Sequence, residues 1–283
     1  MRSEAEMMQL ILETARADGR VRAVVINGSR ALPEAAADPF ADFDVVYLVT
    51  DVASFRAEPG WIDRFGECMV RQLPDEFGDG PQPGRYAYLL QFMDGNRLDL
   101  TLFSLDRKDE LLQDSLSRVL LDKDGLLELP PPGEASYFPE PPSAKQFFEC
   151  CNEFWWVAPY VAKGLWRGRV IYAQDHLEIL RAQLMKLLEW HFGIATDFRQ
   201  NPGKSGKRLP GHLGEERWGL LLKSYAEADV DKLWTGLFAL TELFRGVGLE
   251  VAAHFGFDYP TQDDQRVSAH LRRVWSLPRD PQV

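Results

Sequence analysis

The sequence predicts an α+β protein in two parts: a mixed sheet domain over about residues 1–140, then an α-helical domain over about 141–283. Three observations support this. Short apolar, β-branched runs separated by Gly, Pro and Asp turns fill the first half. A proline-rich stretch, Leu129-Pro130-Pro131-Pro132-Gly133 and then Pro139-Glu140-Pro141-Pro142, can continue neither helix nor sheet and marks the boundary. Beyond it, large apolar residues recur at helical spacing.

Residues 3–17 read as a helix, because Ser3 and Glu6 form a capping box and Met7, Leu10, Ile11 and Ala15 share a face. Asp18-Gly19 stops it. Residues 21–26 form a buried strand, broken by Asn27-Gly28-Ser29, and residues 31–41 form a loop or short helical turn. Residues 43–50 are the second strand. Trp61, Phe65 and Met69 suit a helix, followed by a polar loop through Gly84. Residues 86–92 and 97–103 pair as strands across the Asp94-Gly95 turn. On the second of them Leu98, Leu100 and Leu102 take one face, and Arg97, Asp99 and Thr101 take the other. Residues 106–121 look helical.

In the second half, Ser143 and Gln146 cap a helix carrying Phe147, Phe148, Phe154, Trp155 and Trp156, which ends near Lys163-Gly164. A helix over about 170–192 follows, with Gly193 as the residue just past its end. After a basic loop at 199–208 come two more helices, about 214–227 and 229–255. The charged tail after Pro260 is expected to be loosely held.

The net charge is −11, unevenly placed. Residues 1–140 hold 14 Lys and Arg against 26 Asp and Glu, whereas residues 141–283 hold 18 against 17. This argues against nonspecific nucleic-acid binding and favours a cationic partner. Cys68, Cys150 and Cys151 make no disulfide framework, and the absence of CxxC and HExxH argues against zinc. The N-terminal stretch is an acid-containing amphipathic segment rather than a signal peptide. No apolar run approaches the roughly 20 residues a membrane span needs. We expect a cytoplasmic protein, monomeric or homodimeric.

The chemistry concentrates at two strand ends. Asp42 and Asp44, spaced i, i+2 at the start of a strand, project from one face. Two adjacent carboxylates repel unless a cation sits between them, and an oxygen-only pair suits Mg²⁺. The preceding Gly28-Ser29 turn can aim backbone N–H groups and a hydroxyl at phosphate. Asp99 adds a third acid. Alone, it reads as an exposed carboxylate paired with Arg97; beside the other two, it reads as a metal ligand or general base. The set points to metal-dependent nucleotidyl transfer, with Asp42 and Asp44 on the metal, Asp99 on metal or acceptor, and Gly28, Ser29 and Arg30 on the departing phosphates. Lys204 and Lys207 in the basic loop, and Lys163, are further candidates for phosphate contact. Gly203-Lys204-Ser205 is not a P-loop, since Phe198 stands where its first glycine belongs and no strand precedes it.

The arrangement resembles the DNA polymerase β-type nucleotidyltransferase superfamily and, more narrowly, the aminoglycoside 6-adenylyltransferases, also called streptomycin adenylyltransferases. The carrying segments are Ile26-Asn27-Gly28-Ser29-Arg30, Asp42-Phe43-Asp44-Val45-Val46-Tyr47, Arg97-Leu98-Asp99-Leu100-Thr101-Leu102, Phe154-Trp155-Trp156-Val157, Tyr160-Val161-Ala162-Lys163-Gly164-Leu165-Trp166-Arg167 and Asp175-His176-Leu177. They cover nearly the whole chain, with a departure at 199–208, which is richer in glycine and lysine. The resemblance implies a polymerase β-like sheet domain and transfer of AMP from ATP to a hydroxyl of an aminoglycoside, with Mg²⁺ and release of pyrophosphate. ATP and Mg²⁺ are expected at the N-terminal sheet and the acceptor in a cleft between the domains. A cationic acceptor suits acidic and aromatic side chains, and Trp155, Trp156, Glu149, Glu153 and Asp175 are the candidates. The rival readings are transfer to another acceptor (a metabolite, RNA end or protein side chain) and a nucleotide- or drug-binding protein without catalysis.

Overall fold

The structure, a computed structural model, describes residues 1–32, 38–77, 80 and 82–278. The chain divides into two compact units, Met1–Ser136 and Tyr137–Val283. The loop expected over 31–41 falls in part, at 33–37, outside the described residues.

The first unit is built on one sheet of six strands: β1 Val21–Asn27, β2 Phe43–Val49, β3 Cys68–Gln72, β4 Arg85–Phe92, β5 Arg97–Ser104 and β6 Ser117–Asp122. Their order is β3-β4-β5-β2-β1-β6. β2 and β5 run parallel and the other pairs antiparallel, so the sheet is mixed. Helix α1, Glu4–Ala17, starts at the Ser3–Glu6 capping box and buries Met7 and Ile11 against the sheet, where the Tyr47 hydroxyl donates to the Ile11 carbonyl. On that face lie Phe43, Val45, Tyr47, Leu98, Leu100 and Leu102. On the opposite face, Ala23, Val25, Val46 and Leu48 cluster with Leu111. Burial on both faces explains why β1 and β2 read as continuous apolar runs rather than alternating ones.

Two stretches of this unit depart from the sequence reading. The helical spacing of Trp61, Phe65 and Met69 does not hold. After the short α2, Val52–Arg56, a 3₁₀ turn Pro59–Phe65 buries Trp61 and Phe65, and Gly66 at φ +121° ends it. Met69 then lies exposed on β3, at the edge of the sheet. Residues 106–121 are likewise not one helix but a 3₁₀ segment, Leu105–Gln113, followed by β6. Leu111, Leu116 and Val119 do fit a helical period. What overrides it is pairing, because β6 covers the open ladder of the apolar strand β1.

The second unit is helical: α3 Ala144–Trp166, α4 Val170–Ala195, α5 Leu209–Lys223, α6 Val230–Phe255 and α7 Thr261–Ser276. Ser143 and Gln146 form the capping box that starts α3. Gly193 is not the residue past the end of α4 but lies inside the helix, where a Cβ would stand 2.3 Å from the Phe198 ring. Of the tail expected to be loose after Pro260, residues 279–283 lie outside the described residues, and the part before them is ordered. It forms α7, whose buried Asp264 accepts from Arg245 Nε at 2.7 Å and from the Tyr259 hydroxyl at 3.0 Å. Among the described residues no helix is long and apolar enough to cross a membrane.

Candidate active site

Strand register gathers one row of polar residues at an end of the first unit's sheet. Asn27 of β1 pairs with Asp44 of β2, and Asp44 pairs with Asp99 of β5. The end of β1 is fastened from its other side, where the Ser117 hydroxyl donates to Asn27 Oδ1 at 3.0 Å and the Gly28 N–H donates to the Leu116 carbonyl at 2.9 Å. Gly28 adopts φ +69°, a conformation costly for other residues, and a Cβ there would lie 2.9 Å from Asp44 Oδ2. The glycine is thus required twice, by its own backbone and by the carboxylate beside it.

Asp42 lies one residue before β2, and its backbone is held by Arg30. The Arg30 Nε donates to the Asp42 carbonyl at 3.0 Å and Nη2 to the Ala41 carbonyl at 2.8 Å, while Nη1 pairs with Glu4 at 2.6 Å and the guanidinium covers the Phe43 ring at 4.0 Å. The Arg30 side chain is only 8% exposed.

Arg97 links the acids. Its Nε and Nη2 donate to the two oxygens of Asp99 at 2.9 and 2.7 Å, and its Nη1 lies 3.3 Å from Asp42 Oδ2. The bond to Asp99, and then the fields of Asp99, Asp42 and Asp44, raise the Arg97 pKa above its ordinary value. Among the described residues no group of three or more His, Cys, Asp or Glu side chains is placed to hold a metal ion. The donor chemistry nonetheless fits one. It consists of hard carboxylate oxygens at the end of adjacent strands, a glycine cradle that a Cβ would fill, and a guanidinium already drawn in as their cation.

The structure brings Asp42, Asp44, Asp99 and Gly28 together. Ser29 is exposed beside them, its hydroxyl without a hydrogen-bond partner among the described residues. Two roles need correction. The Gly28 N–H, expected to face phosphate, is spent on Leu116. Arg30, also expected at the phosphates, has all three guanidinium nitrogens engaged within the fold and positions Asp42 instead. What spacing alone misses is the reach of Arg97 to Asp42, together with Asn27 and Ser117. Arg97 shares a strand face with Asp99, which signals their pairing, but contact with Asp42 depends on the β2–β5 register.

The remaining candidates lie in the second unit. Lys163 sits over the Tyr160 ring at 4.5 Å and the Tyr172 ring at 5.9 Å. Lys204 and Lys207 are exposed. Glu149 is exposed, pairs with Lys145 at 3.7 Å, and lines a depression of about 470 Å³ with Glu153, Asn152, Gln183 and Trp190. Asp175 and Trp156 are exposed on α4 and α3. Trp155, expected at the acceptor, is instead 2% exposed and packs edge-on against Phe154 and Phe244. It belongs to the core, as aromatics at helical spacing on a buried stripe usually do.

The sequence profile described as streptomycin adenylyltransferase matches residues 1–274. Curated proteins named aminoglycoside 6-adenylyltransferase are similar along nearly their whole length. The one from Bacillus subtilis (strain 168) is 36% identical over 270 residues, covering 93% of this chain and 95% of that protein. The one from Campylobacter jejuni is 36% identical over 269 residues, covering 94% and 93%. The one from Staphylococcus aureus is 31% identical over 269 residues, covering 93% and 95%. A crystal structure of an aminoglycoside 6-adenyltransferase from Bacillus subtilis aligns with 98% of this chain and 100% of that one, at 32% identity and a TM-score of 0.48.

Proposed function

Because the chain belongs to the streptomycin adenylyltransferase family, a family of nucleotidyltransferases, we propose that it transfers AMP from ATP to a hydroxyl of a streptomycin-like aminoglycoside, with Mg²⁺ and release of pyrophosphate. The observation that carries the site assignment is the row in which Asp44 pairs with Asp99, with Asp42 tied to the same edge through Arg97. Asp42 and Asp44 would hold the metal, which when bound supplies positive charge against the triphosphate. The chain's own groups do the rest. Asp99, 20% exposed, accepts the proton of the acceptor hydroxyl. Gly28 leaves room for close approach, and the Ser29 hydroxyl donates to a phosphate oxygen. Arg30 keeps the Asp42 backbone fixed, so the carboxylate needs little reorganisation when charge builds up. The acidic first half and the exposed Glu149 and Asp175 suit a polycationic acceptor.

The test is pyrophosphate release from Mg·ATP across a panel of aminoglycosides, with mass spectrometry of the drug. Release with streptomycin and a drug heavier by one AMP is expected. ATP binding without release on any member of the panel would overturn the reading.

A further inference from the structure

We propose that Arg97 is the resident counter-ion of the carboxylate edge, and that its guanidinium must leave Asp42 before a divalent cation is held by Asp42 and Asp44. The proposal rests on the metal site assigned above. Asp42 and Asp99 both lie within reach of one guanidinium, and neighbouring carboxylates repel one another unless a cation is shared between them. Arg97 is built to be that cation. It precedes Asp99 by two residues on the same strand and so shares its face. Its planar fork takes both Asp99 oxygens while the third nitrogen reaches Asp42. One side chain thereby ties a residue expected to carry metal to a residue expected to take the acceptor proton.

The latch is reversible for a physical reason. The contact to Asp42 is a single one between side chains 39% and 37% exposed, and an ion pair so open to water is weak, whereas the two-pronged hold on Asp99, 20% exposed, is the stronger and keeps the side chain in place. Released from Asp42, Nη1 can return to solvent while the guanidinium stays charged. A divalent ion arriving alone must compete with Nη1 of Arg97 for the Asp42 carboxylate. An ion arriving on a triphosphate brings additional ligands and contacts, and displaces that contact more readily. Arg97 thus acts as a positioning residue that keeps the site assembled, and it makes occupancy by the metal depend on the nucleotide.

The measurement is Mn²⁺ binding to the full-length protein, followed by electron paramagnetic resonance of the free ion, without nucleotide and then with ATP. Removing a neighbouring positive charge at a solvent-facing site is worth about a tenfold change in affinity. Arg97→Gln is therefore expected to bind Mn²⁺ alone about tenfold more tightly than the wild type, and to narrow the gap between affinities with and without ATP. Mg²⁺ should also raise the thermal midpoint of Arg97→Gln more than that of the wild type. Arg97→Lys keeps the charge but loses the fork, and should fall between the two. An unchanged or weakened Mn²⁺ affinity in a folded Arg97→Gln protein would overturn the proposal. Asp44→Asn separates this failure from that of the site itself. If it abolishes Mn²⁺ binding with ATP, the site stands and only the role of Arg97 is in question. If it leaves that binding intact, the site assignment falls and this proposal with it.

Discussion

The carboxylate edge of the sheet and the basic loop at 199–208 are both polar, glycine-containing stretches, and they are held in opposite ways. At the edge the acidic residues are tied by neighbouring groups of the fold. Asp99 is gripped by a guanidinium fork, the Asp42 backbone is bonded by Arg30, and the row of Asn27, Asp44 and Asp99 is set by strand register. In the loop the backbone is fixed and the tips are wet. The Gly203 N–H donates to Asn201 Oδ1 at 2.7 Å, and a Cβ on Gly206 would press on Leu209 at 2.6 Å and Met185 at 3.0 Å, while Lys204 and Lys207 are exposed. A glycine-rich, lysine-bearing stretch therefore need not be a phosphate cradle, because here its glycines serve packing. Groups that must stabilise charge during a reaction work best when already oriented, since water and flexible side chains reorganise at a cost.

The sharpest way to break this contrast is at the edge. On the proposed reading, Asp44→Asn removes one charge with almost no change in shape, and transfer should fall about 10³-fold or more. Circular dichroism should remain that of the wild type. Turnover near normal in the folded variant would sink the assignment.

The next effect separates core from site in the helical unit. Trp155→Ala empties a buried indole position, and truncating a large aromatic in a core costs about 3–5 kcal/mol. Denaturant unfolding should register that loss. The KM for the drug, measured well below the unfolding transition, should stay near that of the wild type. A large selective rise in KM with unchanged stability would return Trp155 to the acceptor.

Gly28→Ala probes the glycine that does serve the edge. Left-handed backbone costs a residue with a Cβ about 1–2 kcal/mol. The added methyl must also displace the Asp44 carboxylate, so activity should fall by more than stability alone explains. Equal small losses in both would mean that the carboxylate gives way freely.

Much of this was legible in the sequence, and the illegible parts have a common cause. Capping boxes at Ser3–Glu6 and Ser143–Gln146 are local, and they set the starts of α1 and α3 as read. The buried strands β1 and β2 and the β4–β5 hairpin follow from apolar runs and an Asp-Gly turn. What failed was non-local. Residues 106–121 read as one helix, yet 117–122 form β6, because β1 needs a partner that only the folded sheet reveals. The edge strand β3 has four of its five residues exposed, so it offers no alternation to detect. At the site, residue types identified the acids, but the destinations of Arg30 and Arg97 depend on register and loop path.

The smallest expected effect lies in the loop, and it bears most directly on the contrast. Lys204→Ala and Lys207→Ala each remove a solvated charge. Lys207 also contributes its Cβ, which a methyl on Gly203 would meet at 2.9 Å, but alanine retains that atom. The folded loop should therefore survive both changes. A long-range contribution from either ammonium to the nucleotide's charge would be screened by salt over about 10 Å at 0.1 M. The KM for Mg·ATP is then expected to rise no more than a few-fold in either variant, with kcat unchanged, and raising the salt should erase the difference. If instead one lysine variant lost kcat as Asp44→Asn does, and salt did not restore it, that side chain would be oriented on the triphosphate during turnover. The loop would then be a second preorganised element, reached only when nucleotide binds, and the distinction between fixed and wet charges would hold for the resting protein alone.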